Sequence, residues 1–253
     1  MRTSIRKSLR TQEDAVAESI GFIYIFAIVI LSMSLIYVTG YPMLQSSMDD
    51  SIFESTEQSF IILQSDMKMV AFDHVPLKNL QIQLQGATIL ATENSNITIE
   101  YADESLYMVT GEIEYQKNDK FLTYENGGIW KRYPDGGIIV SSPRIYTGTI
   151  NGANITTIGV VLIQGDSAGS GVSGVSGNGI VTLSLKYNES IINKTSGLVN
   201  VTLRINSTYA SEWKSYLESI GFTTINSTDS SLIARQNDTM LVVGRHLVDV
   251  NIK

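Results

Sequence analysis

Three features of the sequence predict an α+β fold. They are an uncharged run of nineteen residues near the N-terminus, short alternating runs beyond Pro76, and one amphipathic helical segment among those runs. Together they describe a long hydrophobic and then amphipathic N-terminal helix, followed by a mainly antiparallel β head with one packed helix.

Residues 20–38 read IGFIYIFAIVILSMSLIYV. As a helix rising 1.5 Å per residue they span roughly 28 Å, close to the hydrocarbon thickness of a bilayer. Buried helices of soluble cores have shorter apolar runs. Tyr24 and Tyr37 sit towards the two ends, where amphipathic rings prefer the interface. Arg2, Arg6, Lys7 and Arg10 precede the run, with no acid in the first ten residues. The positive-inside rule therefore puts residues 1–19 in the cytoplasm as a basic leader and the body outside. A cleavable secretory signal is the competing reading. Its apolar core is usually about 7–15 residues, and Val38-Thr39-Gly40 is a poor cleavage site.

Gly40-Tyr41-Pro42 predicts a kink or restart, since proline breaks the helical ladder at the preceding turn. Residues 43–73 then have helical periodicity. Leu44, Met48, Ile52, Phe60, Leu63, Met67 and Val70 form the apolar stripe, and Asp49, Asp50, Glu54 and Glu57 keep largely to other faces. The amphipathic stalk covers residues 39–75 and ends at Pro76.

The head, residues 76–253, carries short alternating runs. Candidate strands are residues 80–84, 97–101, 106–115 and 128–132, with tight turns at Asn126-Gly127 and Asp135-Gly136. The two clearest runs are residues 180–187 and 198–205, each apolar on one face and polar on the other. A helix interrupts them. Tyr209, Trp213, Tyr216, Leu217 and Ile220 form its apolar face, and Gly221 is its stop. These aromatics read as core packing against the sheet. Residues 241–243 and 247–252 are the last strands.

The chain has 253 residues, a formal charge of −7, no cysteine and two histidines. From Ile20 onward 14 basic residues face 22 acidic ones, so a basic leader precedes an acidic body and no nucleic-acid partner is expected. The missing cysteines exclude disulfides, thiolate nucleophiles and zinc–thiolate or iron–sulfur sites. His74 and His246 are far apart in sequence, which argues against a histidine metal site or triad.

Eight Asn-x-Ser/Thr sequons occur, at Asn96, Asn154, Asn188, Asn193, Asn200, Asn206, Asn226 and Asn237. All lie on the side expected to be outside, as N-glycosylation requires, so the body is expected to be an extracellular glycoprotein. Surface loops rich in Asn, Ser and Thr produce sequons too. Asn200 falls on the polar face of its strand, where a glycan is tolerated.

Gly169, Gly171 and Gly174 match G-x-G-x-x-G, but no helix follows to receive a pyrophosphate, and a flexible loop is the better account. Glu112 and Glu114 project from one face of a strand. As a weak calcium site or acid–base pair they would need a third group such as Asp103, and a solvated strand face is the preferred reading. No catalytic residue, cofactor or metal is expected. Glu18 lies just before the apolar run, either as an ordinary interfacial residue or as half of an ion pair fixing the register between neighbouring helices.

The stretch AVAESIGFIYIFAIVILSMSLIYVTGYP behind a basic leader resembles the N-terminus of archaeal type IV pilin-like surface proteins. Ala15, Val16, Glu18, Ile20 and Gly21 match the family pattern A-V-S-x-V-I-G, and Ala17 departs from its Ser. About thirty N-terminal residues carry the likeness. A looser likeness over the head, around residues 201–222, is to an uncharacterised group with a β-rich head. The resemblance implies a prepilin peptidase cutting between Arg10 and Ala15, with Thr11/Gln12 the favoured bond, and assembly through the helix around Glu18 and Gly21. The small Gly or Ala usual before the cut is missing here. The expected function is an exported, structural or adhesive pilin-like glycoprotein with membrane and self-assembly partners. The alternative is a single-pass cell-envelope binding protein that does not polymerise.

Overall fold

The computed structural model describes residues 2–165 and 173–253, with side chains from residue 20 onward. Its residues fall into two units, 1–53 and 54–253, and the division lies within a single helix, α1, Arg2–Ala71.

The expected break at Gly40-Tyr41-Pro42 does not occur, because α1 runs through Pro42. Proline there removes one backbone donor, and the neighbouring turns keep their own bonds. The apolar stripe also differs from the expected one. Leu44 and Met48 are exposed, whereas Phe53, Thr56, Phe60, Leu63, Met67 and Val70 are buried. Those six recur at spacings of three and four, a core-facing helical face. Lys68 lies in the last turn, where a cation suits the helix dipole. The chain then leaves α1 through His74, in the left-handed region at φ 56°.

Beyond α1 come β1 (Leu77–Gln83), β2 (Ala87–Thr92), β3 (Asn96–Tyr101), β4 (Glu104–Val109) and β5 (Glu112–Lys117). Next are β6 (Lys120–Glu125), β7 (Gly128–Tyr133), β8 (Gly136–Ser141), β9 (Ile145–Ile150) and β10 (Ala153–Gly165). β11 (Ser173–Gly177), β12 (Ile180–Lys194), β13 (Val199–Asn206), α2 (Ala210–Ser219), β14 (Thr223–Ser227) and β15 (Ser231–Ile252) complete the order. The α+β class with a β-rich head and one short helix is therefore as expected.

A nine-stranded sheet is organised around β15. The sequence suggested two short final strands, but β15 is one strand of 22 residues. Thr239 pairs with Val199 of β13 on one edge and Asn154 of β10 on the other. Consequently β12 and β13, the two clearest alternating runs, do not pair with each other. They follow one another along the same edge of β15, both antiparallel to it. β10 lies along the opposite edge and is parallel to β15, an exception to the mainly antiparallel pattern.

The second sheet has the order β11-β2-β5-β6-β7-β8. The single strand expected over residues 106–115 is two strands in different sheets. The chain crosses at Gly111, whose φ of +68° and close approach to Thr92 and Ile163 leave no room for a Cβ. Asn126-Gly127 makes the expected tight turn, with φ of 46° and 81°. At the β7–β8 turn Tyr133 pairs with Gly136, so Pro134 and Asp135 are the central residues rather than Asp135 and Gly136. Of the glycine-rich motif, Gly169 and Gly171 lie outside the described residues. Gly174 belongs to β11, not a loop, and packs so close to Leu90 that a side chain would collide.

Cross-strand pairing sorts the second sheet into two faces. One presents Ile113, Leu122, Tyr124, Ile129 and Lys131, and the other presents Glu112, Thr123, Glu125 and Trp130. Lys131 meets Glu57 of α1, while Trp130 stacks near Trp213 of α2 with ring centroids 4.8 Å apart. Tyr209, Trp213, Tyr216 and Leu217 are buried in this core with Leu203, Leu232, Leu241 and Val243. α2 stops as expected. Phe222 N–H bonds the Leu217 carbonyl, Gly221 N–H bonds that of Glu218, and Gly221 has φ +95°.

Candidate functional site

The most distinctive surface is on the N-terminal part of α1. No Asp, Glu, Lys or Arg occurs from Ile20 to Met48. Phe22, Leu31, Ile36, Tyr37 and Val38 are each about two-thirds or more exposed. The helix is long and apolar enough to cross a membrane. Two of its hydroxyls bond back to the helix. Ser32 Oγ donates to the Ile28 carbonyl at 2.7 Å and Thr39 Oγ1 to that of Leu35 at 2.8 Å. Such back-bonding lets hydroxyls enter an apolar medium without an open donor. Among the described residues no side chain comes within 4 Å of where a Cβ on Gly21 would stand. The side chains of Arg10, Thr11, Gln12 and Glu18 lie outside the described residues, and only their helical backbone is seen.

Within the head, polar clamps hold the C-terminal part of α1. Lys131 Nζ bonds Glu57 Oε2 at 2.6 Å. Gln64 donates to the Gly127 carbonyl at 2.7 Å and accepts from Ser141 Oγ at 2.7 Å. Asp66 pairs with Lys78 at 3.3 Å. At the helix end Ser190 Oγ lies 3.3 Å from the Ala71 carbonyl and 2.7 Å from His246 Nδ1, and Phe72 packs against the imidazole at 4.2 Å. Burial holds His246 below the usual histidine range, with the nearby His74 adding to the effect.

The pair Glu112 and Glu114 does not lie on a solvated face. Glu112 is buried, and its Oε1 accepts from Thr92 Oγ1 at 2.8 Å and Asn94 Nδ2 at 3.3 Å. Glu114 is half-buried, and burial followed by the Glu112 charge raises its pKa. Sequence reasoning missed a third acid, Glu125, the cross-strand partner of Glu112. It accepts from Ser207 Oγ at 2.6 Å and Trp213 Nε1 at 3.0 Å, and burial raises it to about 8. A carboxylate sharing a pleat face with Trp130 and Thr123 was the available signal. Asp103, the third ligand a cation site would need, lies in the β3–β4 turn of the other sheet. Among the described residues no group of three His, Asp or Glu could hold a metal ion. The arrangement suits hydrogen bonding between layers, since each acid is met by hydroxyl, amide or indole donors.

Six sequon residues, Asn154, Asn188, Asn200, Asn206, Asn226 and Asn237, are exposed, while Asn96 and Asn193 are half-buried. Asn206 donates to Asn96 at 2.8 Å across the β3–β13 pair, so two sequons contact each other.

Residues 15–251 match the model of a family of unknown function, DUF7289. An uncharacterised protein of the archaeon Archaeoglobus fulgidus is 26% identical over 200 residues, covering 60% of this chain and 66% of the relative. The chain thus spans just under two thirds of that relative's length. No solved structure matches.

Proposed function

The chain belongs to the DUF7289 family, and we propose that it is an exported pilin-like surface protein, structural or adhesive, that assembles through its N-terminal helix. The single observation carrying this reading is the largely exposed, uncharged stretch of α1 from Ile20 to Met48. An apolar cylinder of that length needs lipid or like helices around it, since water solvates it poorly. In this reading the four cations of the leader stay in the cytoplasm, and the acidic head with its sequons faces outward, glycosylated at a subset of them. In this reading a prepilin peptidase removes the first residues at Thr11/Gln12. No reaction, cofactor or nucleic acid is assigned to the chain.

N-terminal sequencing and intact-mass analysis of the native protein test the reading. Loss of the first 10–14 residues supports it, and a mature chain still beginning at Met1 or Arg2 overturns processing. In filaments, Glu18→Ala should impair assembly and leave membrane insertion intact. Normal filaments from that variant would remove the register role of Glu18.

A second reading is a single-pass anchor that never polymerises. The absence of a small residue before the proposed cut favours it. An uncleaved chain that remains monomeric in membranes would establish that reading.

A further inference from the structure

A cleft of about 540 Å³ opens in the head where the β3–β4 turn meets the loop between β12 and β13. That volume lies within the range of small-molecule sites, about 300–1,000 Å³. Tyr101, Ala102 and Glu104 form one wall, and residues 193–199 form the other. None of them belongs to the buried acids between the sheets or to the clamps on α1.

Both walls are held in place by the protein's own bonds. Tyr101 pairs with Glu104, so Ala102 and Asp103 are the central residues of a two-residue hairpin turn. Ala102 has a φ of 48°, a region that favours glycine, and the tight turn keeps Glu104 beside Tyr101. The Tyr101 hydroxyl donates to Glu104 Oε2 at 2.5 Å. That bond, and then burial, raises the Tyr101 pKa, so the phenol stays neutral. The Asn193 side chain reaches the same hydroxyl. On the other wall, Thr195 N–H bonds the Leu241 carbonyl at 2.9 Å, and Leu241 N–H bonds Thr195 Oγ1 at 2.9 Å. Thr195 Oγ1 in turn donates to the Gly197 carbonyl at 3.0 Å.

Three groups on these walls are left to bind something else. Glu104 Oε1, Lys194 Nζ and Ser196 Oγ have no partner among the described residues. They are an acceptor, a donor and a hydroxyl that does both. The opposite charges of Glu104 and Lys194 favour neither an anion nor a cation. Leu198, 56% exposed, adds an apolar patch between them. The chemistry that meets all of these is an uncharged ring with several hydroxyls and a C–H face. Asn193 also begins a sequon, Asn193-Lys194-Thr195. Its side chain is half-buried against Tyr101, and the Thr195 hydroxyl is bonded twice, so Asn193 reads as a wall of the cleft rather than an attachment point.

We propose that this cleft binds an uncharged saccharide from outside the chain, with Glu104 accepting from its hydroxyls and Lys194 donating to them. The proposal rests on the exported reading above for the sugar's being extracellular, and it gives the adhesive role a ligand class.

Saturation-transfer NMR on the full chain, in a detergent without a sugar headgroup, tests it. The probes are glucose, galactose, N-acetylglucosamine and their disaccharides, each at about 10 mM. At least one should receive transfer. Glu104→Gln and Ser196→Trp should each weaken its binding about tenfold or more, the first by removing a charged acceptor and the second by filling the cleft. Arg204→Ala, on the outer face of β13, should leave binding unchanged. Tryptophan fluorescence melts matching the parent's show that the variants fold. No transfer to any probe, or transfer that both cleft variants retain, overturns the proposal. So does binding of inorganic phosphate in place of every sugar, which would mark an anion site. A glycan found on Asn193 by peptide mapping of the native protein also overturns it, since the cleft would then hold the chain's own modification. None of these readouts depends on leader removal or assembly. A failed cleft leaves the pilin-like reading standing, and a mature chain still beginning at Met1 leaves the cleft standing.

Discussion

The indole N–H of Trp213 donates to Glu125 Oε1 at 3.0 Å inside the core, joining α2 to β6 through a fully buried acid. Ser207 Oγ holds the other oxygen at 2.6 Å and accepts the Tyr209 N–H at the start of α2. The Trp130 indole also reaches the Glu125 carbonyl, at 3.3 Å. One residue therefore links both tryptophans of the chain, which makes tryptophan fluorescence a direct report on this junction.

Burial raises Glu125 from 4.5 to about 8. The folded state then keeps a proton that the unfolded chain has already released. This contribution is full below pH 4.5 and is lost progressively as pH rises through 8. Denaturant melts of the detergent-solubilised protein, followed by tryptophan fluorescence, should show the head weakening from pH 5 to pH 8. Glu125→Gln should flatten that decline. An unchanged decline in the variant would assign it to another group.

His246 titrates with the opposite sense. Its folded pKa lies below the ordinary 6.5 because burial disfavours the imidazolium. Its contribution is present above pH 6.5 and is lost as pH falls from 6.5 towards the folded value. His246→Asn should therefore reduce the acid-side loss of stability while costing stability near pH 7.5, where the bond to Ser190 is gone. The same fluorescence melts, run from pH 5 to pH 7.5, check both halves.

Lys131 and Glu57 test the clamp between α1 and the second sheet. Burial alone would lower the Lys131 pKa, and the bonds and charges of Glu57 and Tyr133 together outweigh it and raise the pKa. Their side chains are 11% and 22% exposed, so removing one partner leaves a poorly solvated charge. Lys131→Met should cost about 2 kcal/mol, and Glu57→Gln a similar amount. The double variant should cost less than the two singles combined, because neither charge is left alone. Strict additivity in that cycle would show that the pair is not coupled.

The elements that local pattern defines were legible in the sequence. The uncharged helix, the Asn126-Gly127 turn and α2 with its Gly221 stop all depend on residues within a few positions of each other. What was not legible depended on distant partners. Alternation identified the runs within β12 and β13, but only β15 decides that they lie end to end along one edge. Residues 106–115 hold no proline to mark a boundary, and the change of sheet at Gly111 is imposed by Thr92 and Ile163. Glu112 read as solvated because nothing near it in sequence reveals Thr92 and Asn94 as donors. Pro42 read as a break because propensity is local, whereas a long helix sustains one missing bond.

Gly111 and Gly221 separate steric conflict from backbone strain. Both have positive φ, +68° and +95°, which a residue with a Cβ adopts at a cost of about 1 kcal/mol. At Gly221 a Cβ meets no atom within 4 Å, so Gly221→Ala should cost about that amount and no more. At Gly111 the Cβ would lie 3.0 Å from the Thr92 carbonyl oxygen and 3.1 Å from Ile163 Cβ, and backbone atoms cannot swing away as a side-chain tip can. The crossing between sheets must then shift, disturbing the bond from Ile163 N–H to the Thr110 carbonyl at 2.8 Å. Gly111→Ala should therefore cost about 2–4 kcal/mol, clearly more than Gly221→Ala. Equal losses for the two variants in parallel denaturant melts would mean that the sheet crossing relaxes freely and that conformational strain alone sets the penalty.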